Sequence, residues 1–128
     1  MTPPRTILVV EDEPILRTAY ALVLESKGYK VTTAENGKAA LEALQRRIPD
    51  LILLDLLMPV MDGKAFLLAS DVLNKYPQVK VMVSSNLSDQ STVDELLAMG
   101  VHAHILKSSM SPSELTARIE ATLMEGPQ

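Results

Sequence analysis

Short, continuous apolar runs alternate five times along the chain with segments whose apolar residues recur every three or four positions. Ile7-Leu8-Val9-Val10 is the first run and reads as a buried strand. Pro14 follows at the position a helix best tolerates proline, its first turn. Leu16, Ala19, Tyr20 and Val23 then give that helix one apolar face, and Gly28 supplies its stop. Tyr29 to Ala34, rich in β-branched residues, predicts a second strand. Asn36-Gly37 turns the chain into a short helix carrying Ala40, Ala43 and Leu44. Leu51 to Leu54 is the most apolar strand, as expected of one covered on both faces. Asp62-Gly63 opens a third helix continuing to about Asn74, and Val79 to Val83 forms the fourth strand. Val93, Leu96 and Leu97 turn a fourth helix toward the core until Gly100 stops it. His102 to Leu106 is the fifth strand. Ser111-Pro112-Ser113-Glu114 combines a capping box with proline at the first helical position. The last helix buries Leu115, Ile119 and Leu123.

Five strand–helix units of this length predict an α/β fold. Its sheet is parallel and doubly wound, with right-handed crossovers. Residues 5–124 are expected to form one domain, and residues 125–128 a tail or linker stub. Composition narrows the function. With 128 residues, 47% of them hydrophobic, the chain can build a proper core. It contains no cysteine, which excludes a disulfide framework and thiolate metal sites. No apolar run approaches the roughly 20 residues of a membrane span. The amino-terminal residues lack the apolar stretch of a signal peptide, and a cytoplasmic location is expected. A net charge of −4 and only three tyrosines and one phenylalanine argue against nucleic-acid binding.

Chemistry gathers at the ends of the strands. Glu11-Asp12-Glu13 follows the first strand, Asp55 closes the third, and Lys107 follows the fifth. In a parallel doubly wound sheet these are carboxyl ends, where such folds bind ligands. Carboxylates held together repel unless a cation or proton relieves them. Mg2+ can provide that relief, since it takes one or two carboxylates and keeps places for water and phosphate oxygens. A carboxylate on Mg2+ beside a lysine is arranged to accept a phosphoryl group. Each residue alone has an ordinary alternative. Asp55 could cap a loop, the acids could favour the start of the first helix, and Lys107 could be a surface lysine.

Taken together and in order, these features resemble the receiver domain of two-component response regulators, over Ile7 to Leu123. The matching residues are Glu11 and Asp12, Asp55, Met58-Pro59 with Asp62-Gly63, Ser85 after the fourth strand, and Lys107. The resemblance implies a flavodoxin-like sheet of order 2-1-3-4-5 with five helices. It implies that a sensor histidine kinase or phosphotransfer protein passes a phosphoryl group to Asp55. Mg2+ would be held by Glu11, Asp12, Asp55 and the main-chain carbonyl of Leu57, with Glu13 left to cap the helix. Lys107 and the Ser85 hydroxyl would contact phosphoryl oxygens. His104 stands where the family usually places a switching tyrosine or phenylalanine. The face of the fourth helix, fifth strand and fifth helix would then engage a downstream protein or a second copy. On this reading the domain is a signalling switch that assists only its own phosphorylation and dephosphorylation, and not an enzyme.

The chain departs from the family at four further positions. Ser108 follows Lys107, where the family usually has proline after a cis bond; a cis bond before any other residue costs about 2.5–4 kcal/mol. Asn86 replaces the usual small alanine. Leu57 and Leu87 are apolar where polar groups often stand, so neither could orient an attacking water, and a long-lived phosphoryl state is expected. Two rival readings follow. One is a receiver-fold interaction module that works without phosphorylation. The other is a flavin or nucleotide binder, which the absence of a glycine-rich loop after the first strand disfavours.

Overall fold

The computed structural model describes residues 3–86 and 90–125. Five parallel strands form one sheet in the order β2-β1-β3-β4-β5. They are β1 (Thr6–Val10), β2 (Lys30–Ala34), β3 (Leu51–Asp55), β4 (Lys80–Ser85) and β5 (Ala103–Leu106). Every residue of β1, β3 and β4 is buried, as their continuous apolar runs require. Alternation divides their side chains between two cores. Leu8, Val10, Ile52, Leu54, Val81 and Val83 face one. Ile7, Val9, Leu51, Leu53, Met82 and Ile105 face the other.

Among the described residues six helices cover the sheet: α1 (Pro14–Ser26), α2 (Gly37–Arg46), α3 (Gly63–Ser70), α4 (Val72–Lys75), α5 (Gln90–Met99) and α6 (Pro112–Met124). Side chains cap three of them as the sequence suggests. Asn36 accepts from the Ala39 amide at 2.8 Å, Asp62 from the Ala65 amide at 2.8 Å, and Ser111 from the Glu114 amide at 3.2 Å. The Ser111 hydroxyl also donates to Glu114 Oε1 at 3.1 Å, completing the capping box.

Three expectations need correction. The third helix does not run unbroken to Asn74. Asp71 adopts the left-handed region at φ 51° and splits it into α3 and α4. Aspartate tolerates that conformation better than most residues, and its carboxylate accepts from the Asn74 side chain at 2.8 Å. Leu97 faces solvent at 46% exposure, and Leu96 alone of that pair enters the core. Glu13 occupies the N-cap position of α1, but its side chain makes no capping bond. Because of the split helix, the predicted fourth and fifth helices are α5 and α6.

A histidine ties the start of β5 to β4. The His102 amide donates to the Val81 carbonyl at 2.8 Å, and the Val81 amide donates to His102 Nδ1 at 3.0 Å. Only an imidazole unprotonated at Nδ1 can accept that bond. Burial lowers the His102 pKa, with Lys80 adding to it and Glu125 opposing. A folded pKa below the unfolded one means that stability is complete above about pH 6.5 and declines as pH falls through and below it. We expect unfolding free energy to drop between pH 7 and pH 5. The ceiling is the cost of an unsatisfied buried amide, about 1–3 kcal/mol. Urea titrations of wild type and His102→Asn should differ in this slope; equal slopes would remove His102 as its source.

Candidate functional site

The two-residue period of the strands builds the site directly. Ile7 and Val9 continue to Glu11, Leu51 and Leu53 to Asp55, and Ile105 to Lys107, so three apolar rows of one sheet face each end in an ionic group. Glu11 is 1% exposed and Asp55 3% exposed. Lys107 Nζ lies 3.1 Å from Asp55 Oδ2, and 2.8 Å and 3.0 Å from Glu11 Oε1 and Oε2. Asp12 joins from the β1–α1 loop, where it is partly exposed. One carboxylate oxygen from each of Glu11, Asp12 and Asp55 falls within a 4.8 Å cluster.

The charges do not balance: three carboxylates face one ammonium. Burial, and then the charge of Glu11, push the Asp55 carboxyl up to about 7. Lys107 opposes this, while a hydrogen bond with Asp12 adds to it. Burial alone would lower the pKa of Lys107, but its hydrogen bonds and charge interactions with Glu11 and Asp55 outweigh that and raise it. Glu11 Oε1 is close to Lys107 yet accepts no well-directed hydrogen bond, leaving a buried lone pair unsatisfied. An all-oxygen donor set with a surplus of negative charge and an orphan lone pair fits a hard divalent cation.

The loop after β3 is held tightly. The Leu57 amide donates to Asp55 Oδ1 at 3.3 Å, and the Gly63 amide to the Leu56 carbonyl at 2.9 Å. A Cβ on Gly63 would lie 2.5 Å from the Asp55 carbonyl oxygen, so only glycine allows α3 to start there. Between them Val60 takes φ 69°, an outlier for a β-branched residue. The Leu57 side chain is 58% exposed. Leu87 lies outside the described residues.

Ser85 is buried at 1% exposure, and its hydroxyl lies 2.9 Å from His104 Nε2. Burial lowers the His104 pKa, which favours the neutral ring in this contact. The structure therefore brings Glu11, Asp12, Asp55 and Lys107 into one cluster and pairs Ser85 with His104. The Lys107–Ser108 bond is trans, and residues Lys107–Ser109 form a single 3-10 turn. Arg17 also belongs to this site, although no sequence motif points to it. Its Nη1 donates to the Glu11 carbonyl at 2.8 Å and reaches the Asp12 carbonyl at 3.4 Å. Its one signal is a lone charge within an otherwise uncharged stretch of α1 from Pro14 to Leu24.

Strand order, the position of the acids and the lysine behind Asp55 define a flavodoxin-like receiver. The response regulator receiver domain model matches residues 7–120, and the chain belongs to that family. Among curated relatives, the probable transcriptional regulator ycf27 of Porphyridium aerugineum is 37% identical over 91% of this chain and 47% of its own length. This chain spans about half the length of the first curated relatives it matches. The BeF3-activated N-terminal receiver domain of Klebsiella pneumoniae RstA superposes with a TM-score of 0.81 at 30% identity, covering 94% of this chain and 99% of that one. The response regulator TrrA of Thermotoga maritima, in complex with Mg(2+)-BeF, gives 0.77 at 29% identity, covering 92% and 98%. No helix among the described residues is long and apolar enough to cross a membrane.

Proposed function

We propose that residues 5–124 act as a Mg2+-dependent, phosphorylatable switch with Asp55 as its acceptor. The observation that carries this reading is the cluster itself, in which Lys107 pairs with the buried Glu11 and Asp55 while the partly exposed Asp12 lies beside them. An ionised Asp55 oxygen attacks phosphorus of a phosphohistidine on a sensor kinase or phosphotransfer protein. A P–O bond forms, the P–N bond breaks, and the imidazole leaves with its electron pair. Glu11, Asp12, Asp55 and the Leu57 carbonyl would hold Mg2+, which when bound supplies positive charge for the phosphoryl oxygens. Lys107 already touches Asp55 and moves to a phosphoryl oxygen as a mobile point charge. The Ser85 hydroxyl exchanges His104 for another phosphoryl oxygen. That exchange draws on β4 and β5 together and biases the face formed by α5, β5 and α6, where a protein target or a second copy binds.

The rest of the reading is a signalling role in the cytoplasm, without turnover of a separate substrate. Kinship with proteins named as transcriptional regulators supports an output through a longer protein. Incubation with acetyl phosphate and Mg2+, followed by intact-mass spectrometry, tests the proposal. One phosphoryl adduct is expected, absent when EDTA replaces Mg2+. No adduct from acetyl phosphate or from a phosphotransfer donor would favour a phosphorylation-independent interaction module. The same adduct should decay slowly, because Leu57 cannot orient water. Leu57→Asn should hasten its loss several-fold, and unchanged decay would exclude that explanation.

A further inference from the structure

Arg17 stands one turn into α1 and directs its guanidinium back over the loop that carries the acidic pair. The start of this helix lacks a side-chain cap. Glu13 makes none, while Pro14 sits at the first helical position, where its missing amide costs nothing. Beside the bond from the Glu11 amide to the Ala34 carbonyl at 3.0 Å, two local contacts restrain the loop. The Glu13 amide donates to Glu11 Oε2 at 3.2 Å, and Arg17 Nη1 donates to the carbonyl of Glu11 at 2.8 Å while reaching that of Asp12 at 3.4 Å. No ion pair among the described residues includes Arg17. Its charge is thus spent on main-chain oxygens and leaves the carboxylates facing the cleft.

This division matters for a cation site. A guanidinium bonded to the Glu11 or Asp12 carboxylate would compete with a metal for the same lone pairs. Bonded to their carbonyls, it fixes where those side chains project and removes none of their donor atoms. Ordering a long arginine side chain carries an entropy cost, which a charge-assisted hydrogen bond at 2.8 Å offsets. We propose that Arg17 is a positioning residue for the divalent cation, presetting Glu11 and Asp12 through their backbone; this rests on the metal-assisted reading given above.

Calorimetric titration of Mg2+ into wild type, Arg17→Ala, Arg17→Gln and Arg17→Lys tests it, at a temperature where circular dichroism shows every protein folded. Removing groups that orient metal ligands typically weakens binding about 10- to 100-fold. Arg17→Ala and Arg17→Gln are expected to weaken Mg2+ binding about tenfold. Arg17→Lys should recover part of the loss, since an ammonium can reach one carbonyl. A purely structural arginine would lower the melting temperature in EDTA and leave Mg2+ affinity unchanged, and that result would overturn the proposal. Tighter binding in Arg17→Ala would also overturn it, by showing that the cation senses only the positive charge of Arg17. If wild type itself binds no Mg2+ at millimolar concentration, the metal-assisted reading fails and this inference with it.

Discussion

Asp55→Asn is expected to abolish the phosphoryl adduct completely and, in the same protein, to raise stability. The first effect follows from chemistry: an amide oxygen lacks the charge and nucleophilicity to displace a phosphate donor. The second follows from electrostatics. Asp55 is buried beside Glu11 and Asp12, and its carboxyl is pushed up to about 7. A carboxyl with a raised folded pKa contributes its share of stability in full below the unfolded value, near 3.8, and loses it as pH rises through about 7. Above that pH, wild type without Mg2+ holds a buried charge that Lys107, shared with Glu11, offsets only in part, and the asparagine variant does not. Each unit of raised pKa is worth about 1.4 kcal/mol, and the weaker contact that asparagine makes with Lys107 offsets part of the gain. A net increase of about 2 kcal/mol at pH 8 in EDTA is the expected outcome. Thermal unfolding across pH 4–9 checks it: the gap between the two curves should widen as pH rises toward about 7 and stay constant above it. A gap that did not change between pH 4 and pH 7 would mean that Asp55 carries no such charge.

Lys107→Ala should have the largest effect on stability. The lysine side chain is 10% exposed, and its partners, the side chains of Glu11 and Asp55, are 1% and 4% exposed. Removing one partner from a buried ion pair typically costs about 3–5 kcal/mol, because the remaining charge is left without relief. Protonation of Asp55 limits the damage below pH 7, so the loss should grow with pH. The cycle with Asp55→Asn apportions the effect: replacing Lys107 should cost less once Asp55 is neutral. Mg2+ should restore part of the stability in Lys107→Ala, since it supplies positive charge to the same carboxylates. A variant as stable as wild type at pH 8 in EDTA would show that the cluster is not closed by this lysine in solution.

Most of the scaffold was legible because strand burial leaves a direct trace. Leu51 to Leu54, a continuous apolar run, reads as a strand covered on both faces, and it lies between β1 and β4. The ends of those runs then predicted where Glu11, Asp55 and Lys107 would meet. Periodicity could not choose between the adjacent leucines 96 and 97, because a small rotation of α5 puts either inside. Nor did it register Asp71, whose left-handed turn leaves the apolar spacing of Phe66, Leu67 and Val72 intact on both sides of the break. Arg17 escaped for a different reason. It acts on backbone carbonyls, which every residue has, so no pattern of side chains announces its partner. The pairing of Ser85 with His104 lies between these cases: both residues were singled out, but a histidine donates or accepts according to its tautomer, and only geometry brings the two together.

The ion cluster also sets an order on the making of the molecule. Lys107 meets Asp55 across 52 residues of chain and Glu11 across 96. Contacts so distant in sequence reward the chain only after the loops between them have closed, which makes parallel sheets slow to assemble. During synthesis Glu11, Asp12 and Asp55 emerge well before the lysine that relieves them. A nascent or truncated chain ending before β5 thus carries the acids without their counter-ion. The lysine just past the last strand is what relieves that repelling edge.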